Sequence, residues 1–263
     1  MQWTTARIRA AKGQQKLACL TAYDYATATL IDGAGVPLTL VGDSLAMAML
    51  GYTTTLPVTM EEMLHHTAAV VRGVTQSLVV ADMPFLSYQV SLEQGLANAG
   101  RFIKEAGADA VKVEGGAFRA PLVEALNQNG IPVLGHIGLT PQSIKQVGGY
   151  KVQGRAPEQV TQLLADAAAL EAAGCFALVL ECVPEPVGRQ LTAAAGIPTI
   201  GIGAGRYCDG QILVTHDMLG LHSHLTPRFA KRYAELGATM TAAFDAYKDE
   251  VEAGTFPSDE HAY

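Results

Sequence analysis

The chain has 263 residues, 49% hydrophobic and 16% charged, a balance that supports one large core and excludes a disordered protein. Its formal net charge of −7, with no block of Lys or Arg, argues against a nucleic-acid partner, because binding along a phosphate backbone rests on clustered positive charge. No apolar run reaches the ~18 residues of a membrane span, and Met1 to Ala11 lack the apolar stretch of a secretory signal, so a soluble cytoplasmic protein with no membrane partner is expected.

Along the chain, short apolar and β-branched runs alternate with segments of helical period, the pattern of repeated β-α units around a parallel sheet. An N-terminal helix precedes the first run. The runs are Leu17–Tyr23, Leu38–Ser44, Leu78–Met83, Ala110–Glu114, Pro132–His136, Ala177–Cys182, Pro198–Gly203 and Gln211–His216. Between them, Thr59-Met60-Glu61-Glu62 and Ser91-Leu92-Glu93-Gln94 both fit the capping box, in which an N-cap hydroxyl and an N3 side chain satisfy orphan N–H groups. Pro157 opens a further helix that Gly174 ends, and a C-terminal helical extension is read from Pro227 to Glu250. Eight strands with intervening helices predict an α/β fold, a (β/α)8 TIM barrel over 1–263, with 255–263 a polar and flexible tail. The alternative, an open doubly wound sheet, is weakened by the absence of G-x-G-x-x-G after the first strand and of a Walker loop anywhere. Cys19, Cys175, Cys182 and Cys208 show no C-x-x-C spacing and read as reduced, isolated thiols.

A barrel of this kind carries its reactive groups where the strands end. The runs end in Gly42-Asp43-Ser44, Ala81-Asp82, Lys112-Val113-Glu114, Gly135-His136 and Leu180-Glu181. Adjacent strands lie ~4.8 Å apart, so Asp43, Asp82 and Glu114 can converge on one point. An all-oxygen set without thiolate or imidazole favours a hard cation such as Mg2+, which could take an α-keto acid through its oxygens. Lys112 and Glu114, two apart on one strand, share a face, where the lysine can neutralise substrate carboxylate or developing enolate charge. Glu181, across the mouth, is placed to move a proton, with pairing to Lys151 or Lys112 as the plain reading. His65-His66 and His222-Ser223-His224 read as packing or solvent-facing residues, and Cys182 as buried filler.

The chain resembles the ketopantoate hydroxymethyltransferase family over nearly its whole length. The resemblance is carried by Val41-Gly42-Asp43-Ser44, Thr55-Leu56-Pro57-Val58-Thr59, Val111-Lys112-Val113-Glu114-Gly115-Gly116, Gly135 to Gln142, Gly148 to Gly154, Leu180-Glu181-Cys182-Val183-Pro184 and Gly201-Ile202-Gly203-Ala204-Gly205. It implies that Asp43, Asp82 and Glu114 bind Mg2+ and that Asp43, Ser44, Asp82 and Lys112 hold the keto acid. By the same resemblance His136 lies near the ketone or a ligand carboxylate, and Glu181 is the proton acceptor. The implied reaction is enolisation of 3-methyl-2-oxobutanoate and attack on 5,10-methylenetetrahydrofolate, giving ketopantoate for pantothenate synthesis, in a ring-stacked homodecamer. The rival is a phosphoenolpyruvate mutase or isocitrate lyase type of enzyme, but the Lys-x-Cys-Gly-His-like loop of that group is missing.

Overall fold

Eight parallel strands close into a barrel, β1 through β8 in sequence order, in the computed structural model, which describes residues 2–221 and 227–263. The chain divides into two compact units, one running to Val214 and the other from Thr215 to Tyr263. The first unit opens with helix α1 (Thr5–Ala10), β1 (Leu17–Thr21), α2 (Tyr25–Gly33) and β2 (Leu38–Val41). Next come α3 (Leu45–Ala48), α4 (Met60–Gly73), β3 (Leu78–Asp82), α5 (Leu92–Lys104), β4 (Ala110–Glu114) and α6 (Ala120–Gln128). It closes with β5 (Val133–Gly138), α7 (Ile144–Val147), α8 (Pro157–Ala172), β6 (Ala177–Glu181), α9 (Glu185–Ala194), β7 (Thr199–Ile202) and β8 (Gly210–Leu213).

Side chains alternate across each strand, and the alternation sorts two cores. Val41, Val79, Ala81, Val111, Val113, Val133 and Leu178 face outward and pack with the helices. Leu17, Leu38, Leu40, Leu78, Val80, Ala110, Leu134, Val179 and Ile212 face inward and fill the lumen. Ile8 and Ala11 of α1 join that inner cluster, with Trp3 packed against it. The N-terminal helix therefore stops the end of the barrel at which the strands begin.

Two helix starts carry the expected chemistry to different degrees. Thr59 and Glu62 form the full reciprocal box at the head of α4. At the head of α5 only half of it forms, with Ser91 accepting from the Gln94 N–H. One connection corrects the expected β-α alternation. No helix lies between β7 and β8, which are joined by 203–209. This link is held from below by Asp209, whose carboxylate accepts from the Thr199 N–H (2.9 Å), Lys12 Nζ (2.9 Å) and the Gly13 N–H (3.3 Å).

A second buried carboxylate ties α2 to β3. Asp32, 6% exposed, accepts from Thr75 Oγ1 (2.8 Å) and from the N–H groups of Thr75 (3.0 Å), Gln76 (2.9 Å) and Ser77 (2.8 Å). Burial works against its charge, but these donors prevail and hold its pKa below the usual aspartate range. A depressed carboxylate pKa contributes stability above the unfolded value, about 3.9, and that contribution is lost as pH falls through the native value. Asp32→Ala is expected to cost about 3 kcal/mol in urea unfolding at pH 7, because three main-chain donors lose their acceptor. The difference from the parent should shrink below about pH 4, since the parent loses the same charge; a constant difference down to pH 2 would count against this account.

The second unit holds α10 (Thr215–Met218), α11 (Leu236–Glu252) and the tail. The helix expected from Pro227 begins only at Leu236. The N–H of Tyr233 before it, and those of Leu236 and Gly237 at its start, bond the carbonyls of Met218, Leu219 and Gly220, which pins the approach to the helix against the end of α10. In the tail, the Phe256 ring meets Tyr247 at 5.6 Å and His261 at 5.1 Å. His222, Ser223 and His224 lie outside the described residues.

Candidate active site

The inward positions of β3, β4, β5 and β6 run from apolar to ionic toward the strand ends: Leu78, Val80, Asp82; Ala110, Lys112, Glu114; Leu134, His136; Ala177, Val179, Glu181. Parallel register sets Asp82 beside Lys112 and Glu114 beside His136. The lumen thus ends in a charged layer resting on a greasy one. Lys112 Nζ lies 2.9 Å from Asp82 Oδ2, 3.3 Å from Glu114 Oε1 and 3.1 Å from His136 Nδ1. His136 stands between the two halves of the layer, with Nδ1 3.4 Å from Glu114 Oε1 and Nε2 3.3 Å from Glu181 Oε2, the latter an ion-pair distance whose angle leaves Nε2 without a hydrogen bond. Glu181 therefore pairs with His136, and the alternatives raised for it do not hold: Lys151 bonds the Val147 carbonyl and Lys112 serves Asp82 and Glu114.

Asp43 enters from the turn that follows β2. Its N–H donates to Asp82 Oδ2 at 3.1 Å, which locks the turn onto β3. One ligand atom from each of Asp43, Asp82 and Glu114 falls within 4.8 Å of the others, and all three residues are buried. Ser44 opens α3 without capping it, and its Oγ lies 2.8 Å from the Tyr23 hydroxyl. His66, on α4, meets the Tyr23 carbonyl through Nδ1 at 2.6 Å, a packing role as expected.

The backbone at the end of β6 is shaped around Glu181. Gly138, at φ +96°, pairs with Glu181 in the ladder, and a Cβ there would strike the Glu181 carbonyl. Cys182 takes φ +48°, a left-handed conformation that costs a residue with a side chain about 1 kcal/mol. Its thiol is pushed up to about 11 by burial and by Glu181, so it is no nucleophile at neutral pH.

Electrostatics follow from the burial. Asp43 is driven well above the usual aspartate range by burial first and then by the charges of Asp82 and Glu114. Asp82 is raised by burial, against the pull of Lys112. Glu114 is lowered to about 2: burial opposes its charge, but Lys112 and His136 prevail. Burial also opposes charge on Lys112, yet the three acids hold it protonated, well above the lysine norm. For His136, burial and Lys112 disfavour the imidazolium, and the Glu114 and Glu181 carboxylates overcome both, raising it to about 9.

Three further residues support this layer without having been singled out from the sequence. Tyr23 meets Ser44, Tyr88 receives the Glu114 N–H at 3.2 Å, and Gln142 reaches both Asp43 and Glu114. Gln142 stands in the quoted Gly135–Gln142 stretch, but loop residues have no period from which a direction can be read.

A profile of the ketopantoate hydroxymethyltransferase family matches residues 2–259. The chain is 57% identical over 260 residues to a 3-methyl-2-oxobutanoate hydroxymethyltransferase of Nitratidesulfovibrio vulgaris, covering 99% of this chain and 85% of the relative. The chain belongs to the ketopantoate hydroxymethyltransferase family. Solved structures extend the family's fold to more distant proteins. A phosphoenolpyruvate phosphomutase from Streptomyces platensis superposes with TM-score 0.64 at 17% identity, covering 99% of this chain and 92% of that one. A phosphonopyruvate hydrolase complexed with oxalate and Mg2+ gives TM-score 0.62 at 13% identity, covering 98% and 93%. These neighbours share the family's barrel, while the sequence match across the full length separates the chain from the mutase and lyase rival.

Proposed function

We propose that this enzyme transfers a hydroxymethyl group from 5,10-methylenetetrahydrofolate to 3-methyl-2-oxobutanoate, giving ketopantoate for pantothenate synthesis, with Mg2+ held by Asp43, Asp82 and Glu114. The observation that carries the reading is the buried acid cluster joined through His136 to a separate, partly exposed carboxylate, Glu181. The residues present fit a hard cation. Their donors are all oxygen, and Asp82 Oδ1 is buried with no hydrogen-bond partner, a state that is costly unless something else coordinates it. The related fold that holds oxalate with Mg2+ supports the pairing of a cation with a small dicarbonyl acid.

When bound there, the cation supplies Lewis-acid polarisation of the substrate ketone, which acidifies the neighbouring C–H. The chain does the remainder. Lys112, held protonated, offers positive charge to the substrate carboxylate or to the oxygen on which charge develops. The Ser44 hydroxyl, oriented by Tyr23, adds a donor at the rim. Glu181 removes the C3 proton; water opens the methylene bridge of the folate to a formaldehyde-level carbonyl as tetrahydrofolate leaves, and the carbon so exposed adds to that carbonyl, whose oxygen takes up a proton to become the hydroxyl. His136 fixes the Glu181 carboxylate while its other nitrogen faces Glu114. Incubation with 3-methyl-2-oxobutanoate in deuterated water should wash out the C3 proton signal only when Mg2+ is present, and the folate donor should then yield ketopantoate. No exchange under any divalent cation would refute the reading.

The enzyme is further proposed to work in the cytoplasm as a homo-oligomer, a decamer. Free thiols support the first point; among the described residues no helix is long and apolar enough to cross a membrane. Self-association is supported by α11, in which no residue is buried although Leu236, Met240, Phe244, Tyr247 and Val251 recur at helical spacing, while the number ten comes from the family resemblance alone. A lone amphipathic helix gains little from propensity and needs an apolar partner. Met240→Glu combined with Phe244→Glu should reduce the mass found by light scattering to that of smaller species; an unchanged mass would exclude α11 from the interface.

A further inference from the structure

Gln142 spends its main-chain N–H and its whole side-chain amide on the acid cluster and its supports. It sits on the 3-10 turn Pro141–Ser143 that follows β5 and is 5% exposed. Its main-chain N–H donates to Glu114 Oε2 at 3.0 Å. Its side-chain Nε2 donates to Asp43 Oδ2 at 3.1 Å and to the Met83 carbonyl at 2.9 Å. Its Oε1 accepts from the Tyr88 hydroxyl at 2.7 Å and from Gln89 Nε2 at 3.0 Å. The Tyr88 hydroxyl in turn accepts from the Glu114 N–H at 3.2 Å. The orientation of the amide is determined by this set: the Met83 carbonyl and the Asp43 carboxylate can only accept, so the NH2 must face them.

We infer that Gln142 is a positioning residue for the divalent cation, an uncharged clamp that holds Asp43 and Glu114 in ligating geometry through the Glu114 oxygen that Lys112 does not use. This rests on the cation site proposed above and adds to it a residue that touches no substrate or metal itself. The physical need is specific. Three buried carboxylates repel one another and would swing apart, yet a second cationic side chain at Asp43 would compete with the metal for the same charge. An amide meets both demands. The side-chain amide occupies one Asp43 oxygen and the main-chain N–H one Glu114 oxygen, neither contributing net charge, and Tyr88 and Gln89 keep the side chain from turning. Partners that orient metal ligands in this way are typically worth about 10- to 100-fold in affinity.

The test uses Mn2+ as the probe, with binding followed by the loss of the free-ion electron paramagnetic resonance signal. Gln142→Met keeps length and volume and removes both side-chain donors. Its Mn2+ dissociation constant should rise about 10- to 100-fold, and its apparent Mg2+ requirement in turnover should rise in parallel, while kcat at saturating Mg2+ stays within about threefold of the parent. A merely structural role would lower thermal stability without moving the Mn2+ constant. Tyr88→Phe, which frees the amide oxygen from its hydroxyl partner, should weaken Mn2+ binding in the same direction, by about threefold or more. If Gln142→Met fails to fold, the Tyr88 variant decides alone. Parent-like Mn2+ binding in the folded variants would overturn the role of Gln142 alone, whereas a parent enzyme that binds no Mn2+ would overturn the cation site together with it.

Discussion

Asp82→Ala is expected to lower kcat/KM by at least about 10³-fold, which corresponds to a loss of about 4 kcal/mol of transition-state stabilisation. The argument lies in what each of its oxygens does. Oδ2 accepts from the Asp43 N–H and from Lys112, so it fastens the turn after β2 to the ionic layer. Oδ1 is the buried atom without a partner, the one on which a cation would bear most directly. At the cation site proposed above, alanine would remove one ligand, unfasten a second and leave Lys112 with one acid fewer. Cation-dependent exchange at C3, followed by proton magnetic resonance, should fall to background while the circular dichroism of the fold is retained. A folded variant that exchanges at near-parental rates would remove Asp82 from the site.

Glu181→Gln is expected to slow the same exchange by about 10²- to 10⁴-fold, the usual worth of a positioned general base. Its shape is preserved and its proton affinity is lost. Because Glu181 touches the acid cluster only through His136, Mn2+ binding should remain within about twofold of the parent, which separates the variant from Asp82→Ala. Loss of cation binding in Glu181→Gln would mean that the carboxylate acts as a ligand or a support and not as the base.

The charged layer could be read from the sequence because strands obey a period of two. Once Ala110 and Leu134 are inward, Lys112, Glu114 and His136 must be inward as well, and a lysine and a glutamate two apart in an apolar run need charged partners in the lumen. Asp43 is expected within the Leu38–Ser44 run and converging with Asp82 and Glu114; the strand ends at Val41, and a main-chain bond across 39 positions sets Asp43 against Asp82. The unhelical β7–β8 link was hidden by the habit of assuming a helix in every crossover, although 203–209 is shorter than the dozen residues such a crossover normally needs. It succeeds because Gly201 leaves room for Cys208, whose Sγ would lie 2.9 Å from a Cβ at that position. Gln142 was beyond reach, since its bond to Asp43 spans 99 positions and issues from a turn without periodicity. The delayed start of α11 has the same origin: the Met218 carbonyl captures the Tyr233 N–H, a contact across 15 positions that local propensity does not show.

With Ile8 and its neighbours corking the lower end of the lumen, traffic to the charged layer runs in one direction. Along that route the side chains of Asp82, Lys112, Glu114 and His136 are 1–4% exposed, and that of Glu181 is 15%. If Glu181 is the base proposed above, the proton it collects sits on the most exposed of these five side chains, the one best able to exchange it with bulk water.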